Sequence, residues 1–511
     1  MRDDTAMKNP LREGLTAERV AAPCALVIYG ASGDLTHRKL IPALFGLYQK
    51  HLLPATFHLI GTSRSEISTE SFRANLKQFL RELTPEISDT LWEGFAQNID
   101  YVAGGFDDPQ SYENLAILLD DLDRDKGTLH NRIFYLSTPP DVFEPIIANL
   151  GKAGLHREEK GFSRLVLEKP FGRDLESAQY LNRKVREFFQ EQQIYRIDHY
   201  LGKETVQNIL VMRFGNSIFE PLWNRRYIDH VQITAAEDLG IGTRAGYYES
   251  SGIVRDMFQN HLFQVMCLVA MEPPISLEAE SIRDEKLKIL KSIRPLSQDS
   301  LAKHAIRGQY GPGYLAGEPI PGYRQEPNVD ENSNTSTFAA LKLHLDTWRW
   351  QGVPFFLRSG KRLPKRATEV TIHFKYAPRL LFQDTFANLS PNVLVLRLQP
   401  DEGVTLRIEA KAPGMSTTIR DVKMDFSYGT SFIQDAPEAY ERLLLDCMLG
   451  DTTLFIRGDE AEAAWRALMP VFNVWDNTPP LEPFPNYSVG SWGPNSANTL
   501  LGEPWRKWRR L

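Results

Sequence analysis

Nine residues, Arg-Ile-Asp-His-Tyr-Leu-Gly-Lys-Glu from Arg196 to Glu204, place a carboxylate, an imidazole, a phenol and an ammonium within two helical turns. On a helix, His199 and Lys203 stand one turn apart and Tyr200 and Lys203 three residues apart, so all three converge on one ligand. Hydrogen-bond donors combined with positive charge suit a phosphate. Asp198 projects about 100° around the axis from His199 and is left for a different partner. A solvated surface helix carries similar pairs. However, Gln193 to Ile197 read as a short strand running directly into the cluster, and open α/β sheets bind ligands beyond the carboxyl ends of their strands.

Other segments carry compatible chemistry. Gly30-Ala31-Ser32-Gly33-Asp34-Leu35-Thr36 follows the first strand-like run and opens a helix, where backbone amides and the helix dipole attract phosphate. This is a variant of the dinucleotide fingerprint and is weak by itself. The end of the next strand discriminates. An acidic residue there binds the ribose 2′-hydroxyl of NAD, whereas Gly61-Thr62-Ser63-Arg64 supplies a guanidinium. Arg64, helped by Lys39, fits the 2′-phosphate of NADP. Lys169, in Glu168-Lys169-Pro170-Phe171-Gly172, ends a further strand at the edge where cofactor and substrate would meet. His261 shares a helical stripe with Val254, Phe258 and Val265 and so faces inward. Such a histidine often only fills a core, but Asp198 has no other evident task. Paired with that carboxylate, His261 becomes a general base that takes a hydroxyl proton as hydride leaves, an effect on the order of 10²- to 10⁴-fold. Arg358 to Arg366 is a basic, glycine-hinged loop that supplies cations to a sugar phosphate.

The elements that must position these residues fall into two textures. From Ala25 to Glu168, short apolar strand runs alternate with amphipathic helical segments, the signature of a Rossmann-type, doubly wound α/β domain. Beyond about residue 200, strands alternate apolar and polar positions without intervening helices at 339–345, 370–374, 393–398 and 405–409. These imply an α+β domain with a large, mainly antiparallel sheet, covered by helices at 248–270, 436–449 and 459–470. The expected division is a flexible arm over 1–22, a cofactor domain over 23–198 and a substrate and dimerisation domain over 199–511. With 511 residues, 42% hydrophobic content and a net charge of −6, the chain suits a multi-domain enzyme and not a nucleic-acid binder. It shows no apolar run of membrane-spanning length and no signal-peptide core at its start, which places it in the cytoplasm without a membrane partner. Cys24, Cys267 and Cys447 are far apart and read as buried thiols, and no histidine spacing suggests a metal.

Taken together, the blocks at 30–35, 168–172, 196–204, 253–262 and 358–361 resemble the glucose-6-phosphate dehydrogenase family, in its order, across roughly residues 23 to 480. The resemblance implies oxidation of glucose 6-phosphate at C1 to 6-phosphoglucono-δ-lactone with NADP as cofactor. It implies His261 as general base with Asp198 as its orienting partner. His199, Tyr200, Lys203, Lys361 and Arg366 would hold the phosphate, and Lys169, Glu237 and Asp256 the sugar hydroxyls. The cofactor set is Gly30, Ser32, Gly33, Asp34, Leu35, Lys39, Arg64 and Lys169. It further implies a homodimer or homotetramer, paired through the large sheet. One departure is Thr36, where the family usually has alanine. A hydroxyl there either alters the packing of the first helix or adds a phosphate contact.

Overall fold

A computed structural model describes residues 20–84, 86–377, 389–415, 418–431 and 438–511. The expected N-terminal arm lies outside these residues apart from 20–22, as do the first two positions of the helix expected from 436. The chain divides into two compact units. One contains the described residues up to Leu167 together with Phe188–Tyr195 and Tyr440–Thr452, and the other contains those of Glu168–Glu187, Arg196–Ala439 and Thr453–Leu511.

In the first unit, strands β1 (Cys24–Tyr29), β2 (Phe57–Ser63), β3 (Ile99–Ala103), β4 (Arg132–Leu136) and β5 (Ser163–Leu167) pair in parallel in the order β3-β2-β1-β4-β5. Every residue of β1 and β2 is buried, as a sheet covered on both faces requires. Helices return the chain between strands. Thr69–Leu83 starts where the Ser68 side chain accepts from the Ser71 amide, and it buries Phe72, Leu76 and Leu80 at i, i+4 spacing. The winding direction reverses between β1 and β4, which opens the crevice where such sheets take their ligands. Cys24, Cys267 and Cys447 are buried and free, and burial pushes the Cys24 and Cys447 thiols up to about 12, which leaves them unreactive.

Strand β6 (Ile194–Ile197) ends in the second unit, so the residue after it, Asp198, belongs there. The large sheet comprises β7 (Ile228–Ala236), β8 (Ala305–Gly308), β9 (Phe338–His344), β10 (Pro354–Gly360), β11 (Ala367–Phe374), β12 (Val393–Gln399), β13 (Gly403–Lys411) and β14 (Ile419–Ser427), in the order β14-β13-β12-β11-β7-β10-β9-β8. It is antiparallel except between β7 and β10. That parallel pair matters for the site. Both strands finish at the same sheet edge, where Glu237 follows β7 and Lys361 follows β10, and β11 runs back from the edge immediately after Arg366. A helical run from Ala245 to Ala270 kinks at Gly252 (φ 59°, ψ 177°), and helices Ala279–Ser292 and Gly458–Trp475 pack beside it. Among the described residues no helix is long and apolar enough to cross a membrane.

Candidate active site

The nonapeptide is not the helix its spacing predicts. After β6 the backbone turns over 198–202, and the helix Glu204–Phe214 begins only with Lys203 as its extended N-cap (φ −80°, ψ 131°). Asp198 is the physical reason. Its Oδ1 accepts from the Tyr200 amide at 3.0 Å and its carbonyl from the Leu201 amide at 3.0 Å, a local turn that competes with helix. The side chains still converge, by folding back. The Tyr200 ring stacks on His261 with centroids 4.2 Å apart, His199 meets the His261 ring edge-on at 4.7 Å, and Lys203 Nζ lies 3.8 Å over Tyr200.

His261 is buried in a stretch where nearly every side chain is buried, so a stripe of one face no longer describes it. Here the helix widens into i→i+5 turns over Val254–Leu262. At 3.6 residues per turn, residues five apart diverge by about 140°, whereas i→i+5 winding places them over one another. Asp256 and His261 are such a pair, and both meet Lys169. Its Nζ lies 3.3 Å from Asp256 Oδ1, 3.1 Å from the Asp256 carbonyl and 2.9 Å from His261 Nε2. On its other side, His261 Nδ1 meets Asp198 Oδ1 at 2.5 Å. Burial opposes ionisation of Asp198, but the imidazoles of His261 and His199 and the Tyr200 amide hold its carboxyl well below the usual carboxylate range. Burial lowers His261 by more than the Asp198 charge restores, so at neutral pH the ring is uncharged, with its proton on Nδ1 and its lone pair on Nε2. Asp198, His199 and His261 also bring ligand-type atoms within 4.8 Å of one another. In this structure the hydrogen bonds to Asp198 and Lys169 occupy both nitrogens of His261.

At the sheet edge, Lys361 Nζ bridges Glu237 Oε2 (2.6 Å) and Asp256 Oδ2 (3.6 Å), an acid–base–acid row that continues to Lys169. Burial and the neighbouring His261 and Lys169 keep His199 well below its ordinary value. Of the residues expected at the phosphate end, positive charge is therefore left to Lys203 and the exposed Arg366. Two residues here went unanticipated. Gln399 accepts from Lys203 Nζ at 2.5 Å and donates to Thr368 Oγ1 at 2.8 Å, and Thr368 in turn lies 3.4 Å from Tyr200 OH. Both come from strand ends (β12 and β11) that the hydrophobic pattern locates but to which it assigns no task.

Burial, followed by the like charge of Arg366, lowers the Lys203 ammonium to about 8. A bound phosphate dianion favours the charged form, so affinity for a phosphorylated ligand should be steady between about pH 7 and 8, where the phosphate is a dianion, and fall as pH rises through about 8. A pH series of KM for wild type and Lys203→Arg tests this. The weakening above pH 8 is expected in wild type and absent in the arginine variant, and equal weakening in both would assign it to another group.

In the first unit, the glycine loop is built for close approach. Gly30 has φ +80°, and a Cβ on it would stand 2.3 Å from the Ser137 carbonyl, while a Cβ on Gly33 would lie 3.1 Å from the Gly30 carbonyl. Thr36 is fully buried, and its hydroxyl bonds the Gly30 carbonyl (3.3 Å) and Ser137 Oγ (3.2 Å). It therefore ties the loop to the end of β4 and adds no phosphate contact. Ser32 and Lys39 are exposed and Leu35 is half-buried. Asp34 is exposed and paired with Arg38 at 2.6 Å. Arg64 is exposed just past β2, its guanidinium 6.0 Å from the Phe106 ring centroid, and no carboxylate takes its place at that strand end. A tight glycine loop at the switch point with a cation at the next strand fits a 2′-phosphorylated dinucleotide.

Comparison with known proteins agrees with this chemistry. The model of the glucose-6-phosphate dehydrogenase NAD binding domain matches residues 27–208, and that of the C-terminal domain matches 210–509. A glucose-6-phosphate 1-dehydrogenase of Chlamydia pneumoniae is 48% identical, covering 99% of this chain and 100% of that protein. One from Bacillus subtilis is 43% identical over 94% of this chain and 97% of its own length. A solved glucose-6-phosphate dehydrogenase in complex with its substrate glucose-6-phosphate superposes with a TM-score of 0.87 at 36% identity, covering 97% of this chain and 100% of that one. The chain belongs to the glucose-6-phosphate dehydrogenase family.

Proposed function

We propose that the protein oxidises glucose 6-phosphate at C1 to 6-phosphoglucono-δ-lactone with NADP+ as acceptor, the first step of the oxidative pentose phosphate pathway. The observation that carries this reading is the buried Asp198–His261–Lys169 chain at 2.5 and 2.9 Å, which places an uncharged imidazole beside cations and carboxylates suited to a sugar phosphate. What NADP+ supplies when bound is an acceptor for the C1 hydride, and Gly30, Ser32, Gly33, Asp34, Leu35, Lys39 and Arg64 are the residues proposed to hold it. His261 Nε2 removes the C1-hydroxyl proton, and Asp198 fixes the ring's tautomer and stabilises the imidazolium that forms. Lys169 yields its bond to Nε2 when the hydroxyl arrives and remains tethered to Asp256. Glu237 and Asp256 bind hydroxyls, and Lys361, expected at the phosphate, pairs with both carboxylates and is proposed to act with them there instead, while Lys203, Arg366, Tyr200 and His199 hold the phosphate. Each close cation–phosphate pair gains on the order of 4 kcal/mol at an effective dielectric near 20, before desolvation.

The expected domain boundary at residue 198 belongs to this reading, with Lys169 and Asp198 acting on the substrate from the second unit. So do a cytoplasmic setting, which free buried thiols favour, and self-association through the large sheet, whose edge strand β14 exposes Val422 and Met424. The test is reduction of nicotinamide followed by absorbance, with glucose 6-phosphate against glucose and NADP+ against NAD+. Turnover is expected with the phosphorylated sugar and NADP+, and equal rates with free glucose would overturn the assignment of the phosphate grip. Arg64→Ala should move preference toward NAD+, since its charge is proposed to select the 2′-phosphate, and unchanged selectivity would remove Arg64 from that role.

A further inference from the structure

The segment Arg506–Leu511 is basic and aromatic, and no part of the chemistry above uses it. It lies across the large sheet. Arg506 forms a double hydrogen bond with Asp229 at the start of β7 (2.9 and 3.0 Å). Trp508 is buried, its indole N–H donating to the Ala497 carbonyl at 2.9 Å. Arg509 then touches three adjacent strands. Its amide donates to Gln232 Oε1 on β7 (3.0 Å), its carbonyl accepts from Arg358 Nη2 on β10 (2.7 Å), and its guanidinium pairs with Glu369 on β11 (2.9 Å). Arg358, Thr234 and Glu369 form one cross-strand row, with Arg358 Nε donating to Thr234 Oγ1 at 3.0 Å. The next row on the same face is Gly360, Ala236 and Ala367, and the residues beyond it are Lys361, Glu237 and Arg366. Arg358 and Glu369 are both buried, so without the segment one loses its carbonyl acceptor and the other its counter-charge.

We infer that Arg509 is a positioning residue for substrate binding: its main chain holds β7 and β10, its guanidinium ties β11 to them, and together these contacts set the spacing of Lys361, Glu237 and Arg366 at their common edge. This rests on the reading of that edge as the sugar-phosphate site. β10 and β11 flank β7 and are joined through the loop 361–366 that carries Lys361 and Arg366, and a shift of one strand by a fraction of an ångström opens the 2.6 Å Lys361–Glu237 pair. The experiment compares Arg509→Ala, Arg509→Lys and Lys361→Gln in the full-length enzyme, measuring KM for glucose 6-phosphate, KM for NADP+, kcat and Tm. For Arg509→Ala the expected result is a rise on the order of tenfold in KM for glucose 6-phosphate with KM for NADP+ and kcat nearly unchanged, and Arg509→Lys restores most of it. A lowered Tm with both KM values unchanged, or both rising together, makes the segment a structural tie only and overturns the inference. An unchanged KM for the sugar phosphate in Arg509→Ala beside a raised one in Lys361→Gln overturns the clasp alone. Unchanged values in both overturn the reading of the edge and the clasp with it.

Discussion

Replacing His261 by alanine is expected to lower kcat by about 10²- to 10⁴-fold while leaving KM for glucose 6-phosphate nearly unchanged. The His261 imidazole is an uncharged nitrogen base buried between Asp198 and Lys169, so its loss is expected to remove proton transfer from the transition state. Ground-state affinity is expected to survive because Lys203 and Arg366 are the residues proposed to hold the phosphate, and Lys361, Glu237 and Asp256 those proposed to bind the hydroxyls. Lys169 keeps its two contacts with Asp256 and does not become an unpaired buried charge. Steady-state kinetics at pH 7.5–8 decide the matter. A loss of less than tenfold in kcat would show that another group takes the proton.

A comparable loss, in stability instead of rate, is expected on replacing Lys286 by methionine. Lys286 and Glu460 are paired at 3.0 Å with side chains 1% and 0% exposed, and Lys286 also donates to Gln264, three residues beyond His261 on the same helical run. Removing the ammonium leaves the Glu460 carboxylate buried with, among the described residues, only the Arg457 amide to hold it, which costs about 3–5 kcal/mol. The sign reverses for the double replacement Lys286→Met with Glu460→Leu, which removes both desolvation penalties and should recover most of the loss. Denaturant midpoints of the three proteins read this directly. If the single and double variants are equally destabilised, the pair's role is packing and not charge.

Much of this site was legible in the sequence because charge and spacing declare themselves there. Asp198 and His261 are 63 positions apart, yet each advertised an unmet need, one as a spare carboxylate and the other as an inward-facing base, and the structure joins them. The parallel sheet was legible because apolar runs such as Ala25 to Tyr29 are buried on both faces and alternate with helices. Three strands gave no such signal. β7 is central and buried on both faces without a flanking helical rhythm, β8 has only four residues, and β14 has its alternation broken by the consecutive charges Arg420 and Asp421. The turn at 198–202 was misread for a different reason. Helical periodicity describes side chains, and it cannot register that the Asp198 carboxylate caps its own backbone. Gln399 and Thr368 were out of reach because an amide and a hydroxyl at strand ends acquire a role only once Lys203 and Tyr200 arrive beside them.

The widened winding over Val254–Leu262 has a meaning for descent. An i→i+5 turn holds one residue more than an i→i+4 turn, so the segment differs from an ordinary bundle helix by the kind of change a single in-frame codon makes. Rewinding the same residues at 3.6 per turn would improve the local hydrogen bonding, and it would also swing Asp256 and His261 about 140° apart around the rod. Selection for a tidier helix and selection for turnover therefore pull this stretch in opposite directions, and the irregularity is what persists when turnover wins.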